Sequence, residues 1–251
     1  MKQAHINLDG SIAVKYALLP GDPARLDHIK KYLDNVEEIG FNREYRSLTG
    51  YYKGIKILAI STGMGGASTA IAVEELKNIG VEAMIRIGSC GALQKGINLG
   101  DLVIAEGAIR DDGASKAYVS LDYPAVANYQ LVQNIISSCK EFDYPYHLGI
   151  VHSHESFYID NNADIEKKWS SLGVLGADFE TSALFTVGRI RKVKCASILN
   201  NVVIYGEDTA ESIESYSGGE SLTLIGEKRE ILVALEAFYK MEKNIWKKYY
   251  L

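Results

Sequence analysis

Arg86 stands between two β-branched neighbours in Ile85-Arg86-Ile87-Gly88-Ser89-Cys90-Gly91. A guanidinium in so apolar a run is costly unless it meets an anion, because desolvating a charge is offset only by a charge-assisted partner. A second arginine closes the segment Gly21-Asp22-Pro23-Ala24-Arg25. There a glycine lets backbone N–H groups approach an anion, a following helix start favours negative charge, and Arg25 adds a fork suited to phosphate. The plainer alternative is a turn with a solvated arginine. A third segment, Ser61-Thr62-Gly63-Met64-Gly65-Gly66-Ala67-Ser68-Thr69-Ala70-Ile71, can bring backbone up to a sugar or phosphate, or can simply make a tight turn with close helix packing. A fourth, Asp178-Phe179-Glu180-Thr181-Ser182-Ala183, sets a carboxylate at a helix start. That carboxylate can accept two hydrogen bonds from a ribose diol, or merely complement the helix dipole.

Strands and helices must carry these segments. Tyr16-Ala17-Leu18-Leu19 reads as a strand ended by Pro20-Gly21-Asp22-Pro23, and residues 25–33 follow with helical spacing. Residues 55–60 read as a strand entering the third segment, and Ser68 can cap a helix that runs through Leu76. Residues 83–87 and 102–105 are further strands, 180–190 a helix, 195–199 the start of a strand, and 227–246 an amphipathic helix. Strands alternating with helices predict an α/β fold in one domain, residues 1–251: a mixed, largely parallel twisted sheet flanked by helices on both faces. In such sheets ligands bind beyond the C-terminal strand ends, where three glycine-rich segments fall.

Composition narrows the partners. A formal net charge of -5 argues against nucleic acid, which needs a basic face. No run approaches the length of a membrane span, and Met1-Lys2-Gln3-Ala4-His5 opens no apolar signal region. Cys90, Cys139 and Cys195 are far apart, lack metal-ligand spacing, and read as reduced thiols of a cytoplasmic protein.

Taken together, the segments resemble the nucleoside phosphorylase family that contains uridine phosphorylases and the hexameric purine nucleoside phosphorylases. The resemblance runs from His5 to about Leu199. Its most specific part is Ser61, Gly63, Met64, Gly65, Ala67, Ser68, Ala70, Ile71, Glu75 and Leu76, which match the family signature without a gap. The resemblance implies phosphorolysis of a nucleoside to free base and ribose 1-phosphate, with inorganic phosphate as co-substrate and neither metal nor organic cofactor. It implies a phosphate site of Gly21, Arg25, Arg86 and Ser89, completed by Arg43 lent from a neighbouring subunit. His5, also lent, would meet the ribose 5′-hydroxyl; Phe179 would lie against the ribose and Glu180 would hold its diol. Arg86 and Glu180 are thus the residues on which catalysis would turn. Phe157 would pack against the base. A site shared in this way implies a homo-oligomer, a hexamer in many members.

The base is less directly legible. Uridine phosphorylases commonly carry a Gln-x-Arg pair beyond the position of Phe157; here those places hold Asn161, which has amide donors, and Ala163. Purine members commonly carry an aspartate near the place of Val202 and Val203, and Glu207 and Asp208 come several residues late. Asp112-Gly113-Ala114-Ser115, Val151-His152-Ser153 and Ser182-Ala183-Leu184-Phe185 resemble uridine phosphorylases, whereas His5-Ile6-Asn7 and Gly88-Ser89-Cys90-Gly91-Ala92 resemble purine members. Uridine is the expected substrate, with purine nucleosides the alternative. A nucleosidase using water, or a nucleoside-binding protein without catalysis, is a rival reading. Asn200 and Asn201, in an otherwise apolar strand, need partners if buried.

Overall fold

The strand Tyr16–Pro20 (β1) is buried along its whole length, as its uninterrupted apolar sequence requires. The computed structural model, which describes residues 2–206 and 221–243, places it between two parallel neighbours, Ile55–Ile60 (β4) and Ala83–Ala92 (β5). The hairpin Asp34–Asn42 (β2) and Tyr45–Tyr52 (β3) extends the sheet antiparallel beyond β4. On the other side run Leu102–Asp111 (β6), Ala125–Val126 (β7), Tyr146–His154 (β8), Gly176–Asp178 (β9) and Lys194–Val203 (β10). β5 pairs with both β9 and β10, β10 with β6, β6 with β8, and β8 with β9. Those five strands therefore close into a ring, and β1, β4, β3 and β2 continue from it as an open sheet. The result is the expected mixed α/β sheet, with antiparallel ladders at the hairpin and across the ring.

Helices cover the sheet in two groups. Gly66–Asn78 (α2), Gly113–Tyr118 (α3) and Thr181–Ile190 (α6) pack on one another. Tyr129–Glu141 (α4) packs along Ser221–Glu242 (α7), which also contacts β1, β5 and β10. Leu26–Ile29 (α1) and Asn162–Ser171 (α5) are shorter. Buried Ile231, Ala234, Leu235 and Phe238 give α7 its apolar face, and Phe238 meets Tyr16 with ring centroids 5.1 Å apart.

Local details depart from the sequence expectations in instructive ways. Residues 25–33 do not form one helix; a 3₁₀ turn, Pro23–Arg25, precedes α1 and another, Lys30–Tyr32, follows it. Asp22 starts this run by accepting the Ala24 N–H at 2.8 Å. α2 begins two residues before Ser68, with Gly65 as its N-cap, and Ser68 instead bonds back to Met64 and Gly65 carbonyls. β5 continues through the glycines of Gly88-Ser89-Cys90-Gly91 because β10 pairs with it along that stretch. α7 starts at Ser221, six residues before the expected start; residues 244–246 of the expected helix lie outside the described residues.

Candidate functional site

Register decides what lies beside Arg86. Leu19 of β1 and Ser197 of β10 flank it in the sheet, so Arg86 sits level with the end of β1, where the Gly21 loop begins. Its side chain is 6% exposed. Nε donates to Asp178 at 3.0 Å and Nη2 lies 2.5 Å from Glu180. Nη1 has no partner among the described residues and faces Gly21: a Cβ on that glycine would stand 3.9 Å from it. Gly88 is required here for space, since a Cβ would fall 2.5 Å from Nη2.

Arg25 reaches the same region from the other side. It is buried, which rules out the solvated turn arginine, and its Nη1 lies 3.2 Å from Glu230. Glu230 is fully buried and also accepts the Gly88 N–H at 3.1 Å, so one carboxylate of α7 ties both arginine-bearing segments together. Glu227 lies 3.8 Å from Arg25 and accepts from His28. Ser89 is half-buried in β5 beside Asn200. Neither glutamate of α7 carried a sequence signal, since an acid on an amphipathic helix ordinarily faces water.

Burial pushes the Glu230 carboxyl up to about 8, with Arg25 pulling against that shift. The folded state thus holds this proton more tightly than the unfolded chain, whose ordinary value is 4.5. The stability cost is absent below that value, grows as pH rises towards 8, and is constant above it. Glu230→Gln is therefore expected to flatten the fall in Tm across this window. Melting curves of both proteins at half-unit pH steps check this, and parallel Tm profiles would refute it.

Glu180 is buried and precedes α6 as its N-cap residue, but its carboxylate does not cap its own helix. It accepts the Gly65 N–H at 2.6 Å, satisfying the start of α2 instead. Gly66 then packs α2 tightly against α3 and α6, where a Cβ would meet Asp112 and Ala114 at 3.1 and 3.2 Å. The close-packing reading of the glycine-rich segment thus holds at Gly66, while the neighbouring Gly65 N–H is taken by Glu180. Burial raises the Glu180 carboxyl, and Arg86 opposes it. Asp178, for which no role was expected, anchors the cluster: it accepts from Arg86, from Ser153 Oγ at 2.6 Å and from Thr181 Oγ1 at 2.6 Å.

Beyond Glu180 the rings begin. Phe179 lies 4.6 Å from His154 and 6.4 Å from Phe157, both half-buried. Asn161 is exposed before α5 and its side chain makes no cap bond. Asn200 and Asn201 are fully buried and give their amide N–H groups to backbone carbonyls, Asn200 to Thr223 at 2.9 Å and Asn201 to Asn98 at 3.1 Å. Val202 and Val203 are buried, and Glu207 and Asp208 lie outside the described residues.

His5 and Arg43 make no hydrogen bond or ion pair with this cluster among the described residues, but lie close to each other. Asn42, beside Arg43 in the β2–β3 turn, donates to the His5 carbonyl at 2.6 Å. Glu75 accepts the backbone N–H groups of His5 and Ile6 and contacts His5 Nδ1 at 2.7 Å. His5 Nε2 makes no hydrogen bond among the described residues. Arg43 is exposed, has no hydrogen bond or ion pair among them, and holds φ at 55°, a left-handed conformation that costs a non-glycine residue free energy.

The description of the phosphorylase superfamily matches residues 15–212. The chain belongs to that superfamily. Its fold follows a solved superfamily structure closely: the crystal structure of uridine phosphorylase from Vibrio fischeri ES114 superposes with a TM-score of 0.88 at 45% identity, covering 95% of this chain and 97% of that one. A uridine phosphorylase of Thermococcus kodakarensis is 48% identical over 157 residues, 62% of this chain; the match spans only 57% of that relative's length. A guanosine phosphorylase of Halorubrum lacusprofundi is 34% identical over 84% of this chain and 88% of its own. Phosphorylase superfamily relatives thus include both pyrimidine and purine enzymes.

Proposed function

We propose that this chain is a nucleoside phosphorylase, a pentosyltransferase that cleaves uridine with inorganic phosphate to give uracil and ribose 1-phosphate. The observation that carries the reading is the pair of buried arginines converging on the Gly21 loop, one (Arg86) with Nη1 unpartnered among the described residues, next to the buried carboxylate of Glu180. A phosphate there would be held by Arg25, Arg86, Ser89 and the backbone at Gly21, under a ribose whose diol meets Glu180 and whose face meets Phe179. As the C1′–N bond lengthens, positive charge develops on the sugar. The bound phosphate stabilises it, and a phosphate oxygen then bonds to C1′ while the bond pair leaves with the base, which takes a proton. Catalysis is positioning plus electrostatic stabilisation, and phosphate is the only co-reactant in this scheme.

Arg43 and His5 Nε2, neither of them hydrogen-bonded among the described residues, support a site completed by a second copy of the chain, within a homohexamer. An exposed arginine with no hydrogen bond or ion pair among the described residues is accounted for if its partner is across an interface. The same reading places the protein in the cytoplasm, in nucleoside salvage.

Uridine is favoured over purine nucleosides by the base end. A purine leaving group calls for an acid near its five-membered ring, and the family position is occupied by buried valines. Uracil leaving as an anion calls for donors, and Asn161 has them. Incubating uridine, inosine and adenosine with and without phosphate is expected to release base only with phosphate, and fastest from uridine; Asn161→Ala is expected to lower uridine kcat/KM more than Asp208→Asn does. Base release without phosphate would mark a nucleosidase, and none under either condition a binding protein. A purine preference abolished by Asp208→Asn would assign the acid to that residue.

A further inference from the structure

Ala163 leaves the base end with one polar group fewer than the family pattern, and the structure offers a polar group of a different kind, an acceptor where the pattern has a donor. Ser153 of β8 pairs in register with Asp178 of β9, so the next residues, His154 and Phe179, leave their strands side by side at the sheet end that holds Glu180. Their rings are 4.6 Å apart. Behind His154 lies His152, stacked at 5.1 Å and tilted by only 14°, and Trp169 backs His152 at 5.4 Å. These rings form a wall beside Phe179 and Phe157.

The hydrogen bonds of His154 define its tautomer. Nδ1 lies 3.1 Å from the Ser156 carbonyl, which can only accept, so Nδ1 carries the proton. In the neutral ring Nε2 is then the lone pair, and it has no partner among the described residues. Burial lowers the His154 pKa, against the opposing pull of Asp178, the Ser156 carbonyl, Glu166 and Asp111, and burial likewise lowers that of His152 beside it. An acceptor nitrogen on a half-buried ring, adjoining Phe179, is suited to meet an N–H of a ligand.

We propose that His154 is a specificity-determining residue for the base: its Nε2 accepts the imide N–H that uracil presents between its two carbonyl groups. The proposal rests on the nucleoside phosphorylase reading above. Asn161 would donate to a flanking carbonyl oxygen, so the two side chains together match the donor and acceptor order of uracil. Cytosine presents a lone pair at the same ring position and would set lone pair against lone pair.

The test compares uridine, 3-methyluridine and cytidine as substrates of the wild-type enzyme and of His154→Phe, which keeps a ring against Phe179 but lacks Nε2. The wild type is expected to prefer uridine over 3-methyluridine by tenfold or more, and His154→Phe to lose about 10- to 100-fold in kcat/KM for uridine while the phosphate KM stays within about twofold. The preference over 3-methyluridine and cytidine is expected to shrink in the variant. A folded variant with unchanged uridine kcat/KM and unchanged preferences would overturn the proposal. So would equal use of uridine and 3-methyluridine by the wild type, a result that needs no variant to fold. If instead the wild type releases no uracil from uridine with phosphate present, the substrate reading itself fails and this assignment with it.

Discussion

Arg86→Ala is expected to raise the phosphate concentration needed for half-maximal turnover sharply and to lower kcat/KM by about 2–5 kcal/mol, roughly 30- to 5000-fold. The size follows from burial. Arg86 is enclosed, its Nε and Nη2 are committed to Asp178 and Glu180, and only Nη1 faces the Gly21 loop. The internal carboxylates fix the direction of that free nitrogen, so an incoming phosphate meets an oriented donor rather than a mobile one. Removing the guanidinium also strands two buried carboxylates, which costs on the order of 3–5 kcal/mol of stability when a buried pair is broken. Arg86→Lys separates the two effects: it retains a charge near Asp178 and Glu180 but cannot present three nitrogens at once. The measurement is initial rate against phosphate at saturating uridine, with a thermal melt of each variant to show that it is folded. Unchanged phosphate dependence in a folded Arg86→Ala protein would remove Arg86 from the phosphate site.

Arg43→Ala and Glu180→Ala are each expected to be nearly inactive alone and to recover activity when mixed under conditions that allow subunit exchange. No hydrogen bond or ion pair joins Arg43 to Glu180, and Arg43 has no hydrogen-bond or ion-pair partner among the described residues. If Arg43 completes a neighbour's site, a mixed pair contains one site with both residues intact and one with neither. Random exchange of equal amounts then restores about a quarter of the sites, the arithmetic of an isologous two-fold contact. The assay is turnover of the mixture over time beside each variant alone, with sizing to follow assembly. A fully active monomer, or a mixture that never exceeds the sum of its parts despite demonstrated exchange, would contradict the shared site.

The sequence by itself determined the local features. Glycine-rich turns, strand runs and an arginine hemmed in by isoleucines are legible because turn chemistry, side-chain period and the cost of a desolvated charge act over a few neighbouring residues. The ungapped match around Ser61, Gly63, Met64 and Gly65 likewise lies in one continuous stretch. Elements with weaker patterns went unseen: β9 is three residues long, and β8 exposes Leu148 and Ile150, so neither alternates cleanly. Only the tertiary structure decided the partnerships. Glu230 meets Arg25 across 205 residues and Gly88 across 142, and nothing local marks an acid on an apolar helix as buried. The ring wall that places His154 beside Phe179 depends on the β8–β9 register, and the closing of β5 to β9 and β10 brings Asp178 to Arg86. Asn200 and Asn201, ambiguous as residues in a strand, give their amide N–H groups to backbone carbonyls from elsewhere in the chain, while their Oδ1 atoms meet no partner among the described residues. The division has a single physical cause. Periodicity and turns are written into near neighbours, whereas pairing of buried charges is set by which distant segments the packed sheet brings together, and that depends on register and closure.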